Sequence, residues 1–180
     1  MIQTIRMGHL LREAVAAPYR HLVTRPTGVA VRNRIEATLA RSDCLTAMLD
    51  FSDIELLDLS CADEVVAKLL LTAAGSATCF VVLRGLREDQ HEAIEHVLTH
   101  HRLAVAAVPP DGVEPRLLGW VTPDARAAFG CIADRGPLTA AGLARALGWP
   151  DARGWEALRS LAEHRLVRPD GEVYHPLPIA

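Results

Sequence analysis

Ser60 stands in the stretch Asp58-Leu59-Ser60-Cys61-Ala62-Asp63-Glu64, which sets a hydroxyl, a thiol and three carboxylates side by side. Ser60 with Asp63 and Glu64 behind it has the spacing of a capping box. Val65, Val66, Leu69, Leu70 and Ala73 follow at helical intervals, so the sequence predicts a helix over 60–74 with Ser60 at its N-cap. An N-cap oxygen accepts from a free backbone N–H, and the same unpaired N–H groups, with the helix dipole, suit an anion such as phosphate. Ser60 is thus either a cap contributing about 1 kcal/mol or a point of modification. Cys61, in that first turn, has the setting in which a thiol pKa falls and nucleophilicity rises, although burial is the commoner role for cysteine.

Other groupings carry less chemistry. Glu92, His96 and His100 recur every four residues on a helix predicted over 87–101 and stack on one face, as metal ligands do. Ile94, Val97 and Leu98 take the opposite face, which leaves the three as a solvated polar surface, and no metal site is expected. Leu83-Arg84-Gly85-Leu86-Arg87 lacks the second glycine and the lysine of a phosphate cradle. Ser60, between Leu59 and Cys61, has no Gly-x-Ser-x-Gly elbow, and only a histidine brought close in space, His21, His91 or His101, would give it a base. The sequence predicts no enzyme and no cofactor. Cys44, Cys61, Cys79 and Cys131 form no Cys-x-x-Cys pair and read as small apolar fillers.

The elements that must position Ser60 follow from hydrophobic periodicity. Apolar runs over 2–7, 19–23, 45–51, 78–83 and 103–108 read as strands, separated by helical patterns over 28–40, 60–74 and 87–101. Such alternation predicts an α/β layer fold. Pro109, Pro110, Gly112 and Pro115 then break regular structure, 116–121 offers an edge strand, and Thr122-Pro123-Asp124 opens a new helix. Two domains follow, 1–121 and 123–180. The second has helical patterns over 125–133, 139–147 and 152–165, then two short apolar runs around Pro169-Asp170-Gly171, a hairpin turn. On its third helix Trp155, Leu158, Leu161 and Ala162 are expected inward, with Arg153, Glu156, Ser160, Glu163 and His164 outward and Arg159 at the flank. Trp120, Trp149 and Trp155 are expected to anchor a core or a domain interface.

Residues 47–64 resemble the STAS-like families, whose best known members are the bacterial anti-sigma factor antagonists. Asp58-Leu59-Ser60-Cys61 keeps the Asp and second Ser of the antagonists' Asp-Ser-Ser-Gly and lacks the first Ser and the Gly. A less characterised STAS-like group reads Ser-Phe-Ala-Asp-Glu, which Ser60-Cys61-Ala62-Asp63-Glu64 matches at all but one position, preceded by an Asp-Phe like Asp50-Phe51. That group also carries an upstream Arg, a Gly and an Arg-rich helix, as in Arg25-Pro26-Thr27-Gly28-Val29-Ala30-Val31-Arg32. The resemblance implies a STAS-like α/β domain over 1–121, Ser60 as phospho-acceptor or switch, and Asp58, Cys61, Asp63 and Glu64 as contacts for a protein partner such as a kinase or an anti-sigma-like regulator. Residues 123–177 resemble the winged helix-turn-helix domains of bacterial transcription regulators. The matching stretches are Leu138-Thr139-Ala140-Ala141-Gly142-Leu143-Ala144 and Leu161-Ala162-Glu163-His164-Arg165-Leu166-Val167.

Together the two resemblances imply a non-enzymatic regulator in which the first domain senses a partner and the winged helix delivers the output. The alternatives are a DNA-binding transcription regulator whose first domain dimerises, and a scaffold with neither property. DNA contact would rest on Arg153, Arg159 and Arg168, because Glu156 and Glu163 face outward beside them. Charge favours no nonspecific nucleic-acid binder, since the net charge is −3 and residues 123–180 carry seven basic and seven acidic groups. No coiled-coil heptads enforce a homodimer, which stays open. No apolar run approaches the roughly 20 residues of a membrane span, and residues 1–20 lack a secretory signal pattern, so a cytoplasmic protein without a membrane partner is expected.

Overall fold

The computed structural model describes all residues except 17, 74–78, 113 and 180. Ala74 and Thr78, which the sequence places in a helix and a strand, and the side chain of Ala73 lie outside the described residues. The chain divides into two compact units, Met1–Trp120 together with Ile179, and Val121–Pro178.

The first unit is an α/β structure built on a mixed five-stranded sheet. Its strands are β1 (Ile2–Arg6), β3 (Thr46–Asp50), β5 (Phe80–Arg84), β6 (Ala104–Val108) and β7 (Arg116–Gly119), hydrogen-bonded in that order. The first four run parallel and β7 closes the edge antiparallel to β6. Parallel strands lie buried on both faces and so read as unbroken apolar runs, which is how Ala47-Met48-Leu49 and Phe80-Val81-Val82-Leu83 appear in the sequence. The sheet grows in one direction from β1 to β6, and right-handed crossovers then place the connecting helices on one face. Those helices are α2 (Arg25–Ala40), a continuous run of α3 (Leu59–Ala62), a π turn (Asp63–Lys68) and α4 (Leu69–Ala73), and α5 (Glu88–His101). They pack on one another over a core that includes Leu49, Phe51, Ile54, Leu83, Ile94 and Leu98.

Two features depart from the sequence expectation. The segment after β1 forms a helix, α1 (Met7–Val15), which starts without any turn residue and buries Met7, Leu10 and Leu11 against α2. The strand expected over 19–23 is only β2 (His21–Leu22), and it pairs outside the main sheet with β4 (Leu56–Leu57), in parallel, His21 opposite Leu56. Gln90 ties the β3–β4 loop to α5: its amide donates to the Ile54 carbonyl at 2.9 Å while its oxygen accepts from Arg87 N–H at 3.0 Å.

The second unit has α6 (Pro123–Arg135), α7 (Ala140–Leu147) and α8 (Asp151–Glu163), followed by a hairpin of β9 (Arg168–Asp170) and β10 (Val173–His175); β8 (Leu138–Thr139) adds a third antiparallel strand beside β10. Thr122 caps α6 and Thr139 caps α7 through their side-chain oxygens. Gly154 lets α7 and α8 touch, since a Cβ there would lie 2.8 Å from the Ala140 carbonyl oxygen and 3.1 Å from the Ala144 Cβ. That contact turns α8 so that Gly154, Ala157, Leu158 and Leu161 are buried and Trp155 is exposed, the reverse of the expected placement of Trp155. Trp120 is exposed as well, with Arg102 stacked 5.7 Å from its ring centre. Among the described residues no helix is long and apolar enough to cross a membrane.

The cysteines are not all isolated fillers. Cys44 and Cys79 precede neighbouring strands β3 and β5, and their sulfurs lie 3.1 Å apart. Diamide added to the native protein is expected to attack the half-buried Cys79 and join it to Cys44, read by mass spectrometry as a cross-linked Cys44–Cys79 peptide, while Cys61 and Cys131, buried and with no such half-buried sulfur beside them among the described residues, stay reduced. A cross-link involving Cys61 or Cys131 instead would contradict the packing described.

Candidate functional site

The β2–β4 ladder lays residues 21–24 alongside residues 55–58, and Asp58 N–H donates to the Leu22 carbonyl at 3.2 Å. The pairing delivers the Asp58 carboxylate to two chain segments at once. One oxygen, Oδ1, accepts from Cys61 N–H at 2.7 Å and from the Ser60 hydroxyl at 2.9 Å; the other, Oδ2, accepts from Thr24 N–H at 2.8 Å. Asp58 is therefore the N-cap of α3, and Ser60, the expected cap, sits one residue inside the helix with its hydroxyl turned back onto Asp58. The chain stays extended through Asp58 because β4 holds it so, and the helix begins one residue later.

Thr24 occupies φ 70°, ψ 137°, a conformation that costs a non-glycine residue on the order of 1–3 kcal/mol. Bonds on both sides of the residue hold it there. Its N–H is fixed by Asp58, and its carbonyl accepts from Gly28 N–H at 3.1 Å and from the Cys61 thiol at 3.0 Å. Gly28 is required by the same close approach of α2 to α3, because a Cβ would lie 3.0 Å from the Glu64 Cβ and 3.1 Å from the Cys61 Cα.

Behind this clamp the π turn brings Asp63, Glu64 and Lys68 together. A π turn inserts a residue into the helical repeat and changes which side chains share a face. Glu64 is only 1 % exposed yet meets three cations: Lys68 Nζ at 2.6 Å, Arg25 Nη1 at 2.7 Å and Arg32 Nη1 at 3.5 Å. Asp63 pairs with Arg25 at 2.8 Å and shares a 2.7 Å hydrogen bond with His101 Nε2. Burial pushes the pKa of Glu64 and Asp63 upward, but Lys68 and Arg25 on Glu64, and Arg25 and His101 on Asp63, outweigh it and hold both below the ordinary carboxylate range. Asp58 follows the same rule: burial raises it, and the Cys61 and Thr24 N–H groups with the Ser60 hydroxyl outweigh that and hold it below the ordinary carboxylate range. Cys61 moves the opposite way to the helix-start expectation, pushed up to about 12 by burial and then by the nearby Asp58 charge.

Of the residues expected to touch a partner, Cys61 and Glu64 are fully buried and Asp58 and Asp63 are engaged internally. The surface next to Ser60 is made by others. Leu56 and Leu59, 47 % and 50 % exposed, flank Asp58, and Arg25 is half exposed beside Asp63. The signal was an apolar residue on each side of a polar cap, which periodicity reads as strand and helix interior. On α5, Glu92, His96 and His100 are exposed, and no group of three metal-ligating side chains occurs among the described residues. Glu95 has a structural task that the sequence did not show, accepting from Gly119 N–H at 2.6 Å.

In the second unit Arg153 forms a two-pronged pair with Asp124, both contacts at 2.8 Å, and stacks 4.4 Å from the Trp149 ring centre. Arg159 pairs with Glu163 at 3.3 Å and lies 5.4 Å from the Trp155 ring centre. Arg168 is half-buried on β9. Comparison of the chain with protein-family models, curated proteins and solved structures finds no match.

Replacing Asp58 by Ala removes the cap and strands the Thr24 N–H, an expected loss of about 2–4 kcal/mol by urea titration near neutral pH. Because the folded-state pKa of Asp58 is lowered, its contribution is complete above the ordinary carboxylate value of about 4 and disappears as the pH falls through its own lower pKa. The stability gap between wild type and Asp58→Ala should therefore narrow on acidification; a gap independent of pH would rule out the charged clamp.

Proposed function

We propose that the chain is a non-enzymatic regulatory protein. Its first unit is a STAS-like partner-sensing domain switched at Ser60, and its second is a winged-helix output domain. The observation that carries this reading is the 2.9 Å bond from the Ser60 hydroxyl to Asp58 Oδ1, the carboxylate that also holds Thr24 and the start of α3. Phosphorylation would remove that hydroxyl proton and set about −1.5 to −2 charges against Asp58. The repulsion would act on the carboxylate that, together with the Cys61 thiol, ties the strained loop at Thr24 to the helix. A small chemical change at Ser60 thereby reaches both α2 and the exposed Leu56–Leu59 surface, which is apolar and suited to a protein contact.

Support for a non-enzymatic role comes from the same geometry. Ser60 bonds a carboxylate and not an imidazole, and the Cys61 thiol, raised to about 12, is spent on the Thr24 carbonyl. For the second unit, helix, helix, helix and hairpin in that order match the winged-helix resemblance in the sequence. Arg153 and Arg159, however, are each occupied by a carboxylate, which favours protein contact over DNA contact as its output.

Ser60→Glu and Ser60→Ala separate a switch from a plain helix residue. Hydrogen exchange is expected to show the Thr24 and Gly28 amides losing protection about tenfold or more in Ser60→Glu, and far less in Ser60→Ala. In parallel, proteins captured from a source-cell extract by wild type should be retained by Ser60→Ala and lost by Ser60→Glu. Identical exchange and identical capture by all three would end the switch proposal.

A further inference from the structure

The hairpin and the first turns of α7 and α8 enclose a cleft of about 780 Å³ on the second unit. Its apolar surface comes from Trp155, Tyr174 and Ala152, and its charged groups are Asp151, Glu156 and Glu172. Trp155 is 49 % exposed there, on a helix whose inward face is already filled by Gly154, Ala157, Leu158 and Leu161. With Arg159 of the same helix 5.4 Å from its ring centre, the indole still leaves a large apolar area in water, and tryptophan is the side chain most often found to dominate a protein contact.

The charge of the cleft is one-sided. No basic residue lines it, and no cation lies within ion-pair distance of Asp151, Glu156 or Glu172 among the described residues, whereas Asp124 and Glu163 of the same unit are paired with Arg153 and Arg159. The dipole of α8 offsets Asp151 in its first turn. Glu156 and Glu172, one on α8 and one on the hairpin turn, have no such compensation. Two carboxylates from different elements beside a half-exposed indole form a receptor for a cation with an apolar neighbour, since a guanidinium or ammonium can pair with the acids while the neighbour covers the part of the indole that Arg159 leaves in water. Phosphates would meet the same carboxylates without any lysine or arginine to hold them.

We propose that this cleft docks a short segment of a partner protein, one that presents an arginine or lysine next to an aliphatic or aromatic residue. The cation lies between Glu156 and Glu172, and the apolar neighbour covers Trp155 and Tyr174. This goes beyond the reading of Ser60, which belongs to the other unit, and holds whether or not Ser60 is modified.

The test uses the 180-residue chain, both units together, against a phage-displayed library of random linear peptides. Wild type should enrich sequences pairing Arg or Lys with an apolar residue. The best of them, labelled and followed by fluorescence anisotropy, should bind at least about tenfold more weakly to Trp155→Ala and to the double variant Glu156→Gln, Glu172→Gln. All three positions are exposed, and the double variant keeps the shape of the cleft while removing its charge, so a folding defect is separable from a binding defect by circular dichroism. Ser60→Glu should bind the same peptide as wild type does, which keeps this result distinct from the fate of the switch. The proposal fails if no peptide is enriched, if the enriched peptides are acidic, if the variants bind them as wild type does, or if a random duplex DNA binds the cleft more tightly than the peptides.

Discussion

The Asp58 carboxylate is the joint on which the first unit's helical layer depends. It satisfies the backbone N–H groups of Thr24 and Cys61, which lie 37 positions apart in sequence, and it does so with charge-assisted bonds of 2.8 and 2.7 Å. Without it Thr24 would be held at its positive φ from the carbonyl side alone, and α3 would begin with uncapped donors. The cost of burying the carboxylate is offset by three donors, which is why its proton affinity falls in spite of desolvation. Local strain at Thr24 and stabilisation at Asp58 are two sides of one arrangement.

The charge network behind the joint works by a related balance. Glu64 is removed from water, where an unpaired carboxylate would be intolerable, and three cations drawn from two helices surround it. Arg25 and Arg32 come from α2, and Lys68 comes from the end of the π turn. Ion pairs of this kind add less to stability than to register, since only one sliding position of α2 along the π turn brings both arginines to the acid that Lys68 meets from its own element. Gly28 enforces the same register sterically. Charge and shape thus select one docking of the two helices.

How much of this the sequence disclosed depends on the kind of interaction. The parallel strands were legible because burial on both faces leaves unbroken apolar runs, as in Phe80-Val81-Val82-Leu83. α5 was legible from Ile94, Val97 and Leu98 on one face. α1 was not, because β1 passes into it at Met7 with no proline or side-chain cap to mark a helix start, and Gly8 in its first turn is a poor helix former. The placement of the cap at Asp58 in place of Ser60 was hidden for another reason: both are good cap residues, and the choice between them is made by the tertiary pairing of β4 with β2. Asp63 and Glu64 were marked by position alone. Their partners Arg25, Arg32, Lys68 and His101 are assembled by the fold and by a π turn that no periodicity of 3.6 anticipates. The exposure of Trp155 followed from Gly154, whose missing side chain sets the rotation of α8.

The β2–β4 ladder is only two residues long on each side, and it stands apart from the five-stranded sheet. A ladder so short holds few backbone bonds, while the strands of the main sheet share five paired positions at β1–β3 and at β3–β5. Its closure joins segments distant in the chain, so its contacts carry a loop-closure cost that contacts within a helix do not. The molecule therefore carries its clamp on an element of low cooperativity, one that opens with a smaller free-energy change than global unfolding requires. A perturbation arriving there would release the loop at Thr24 while the central sheet stays closed.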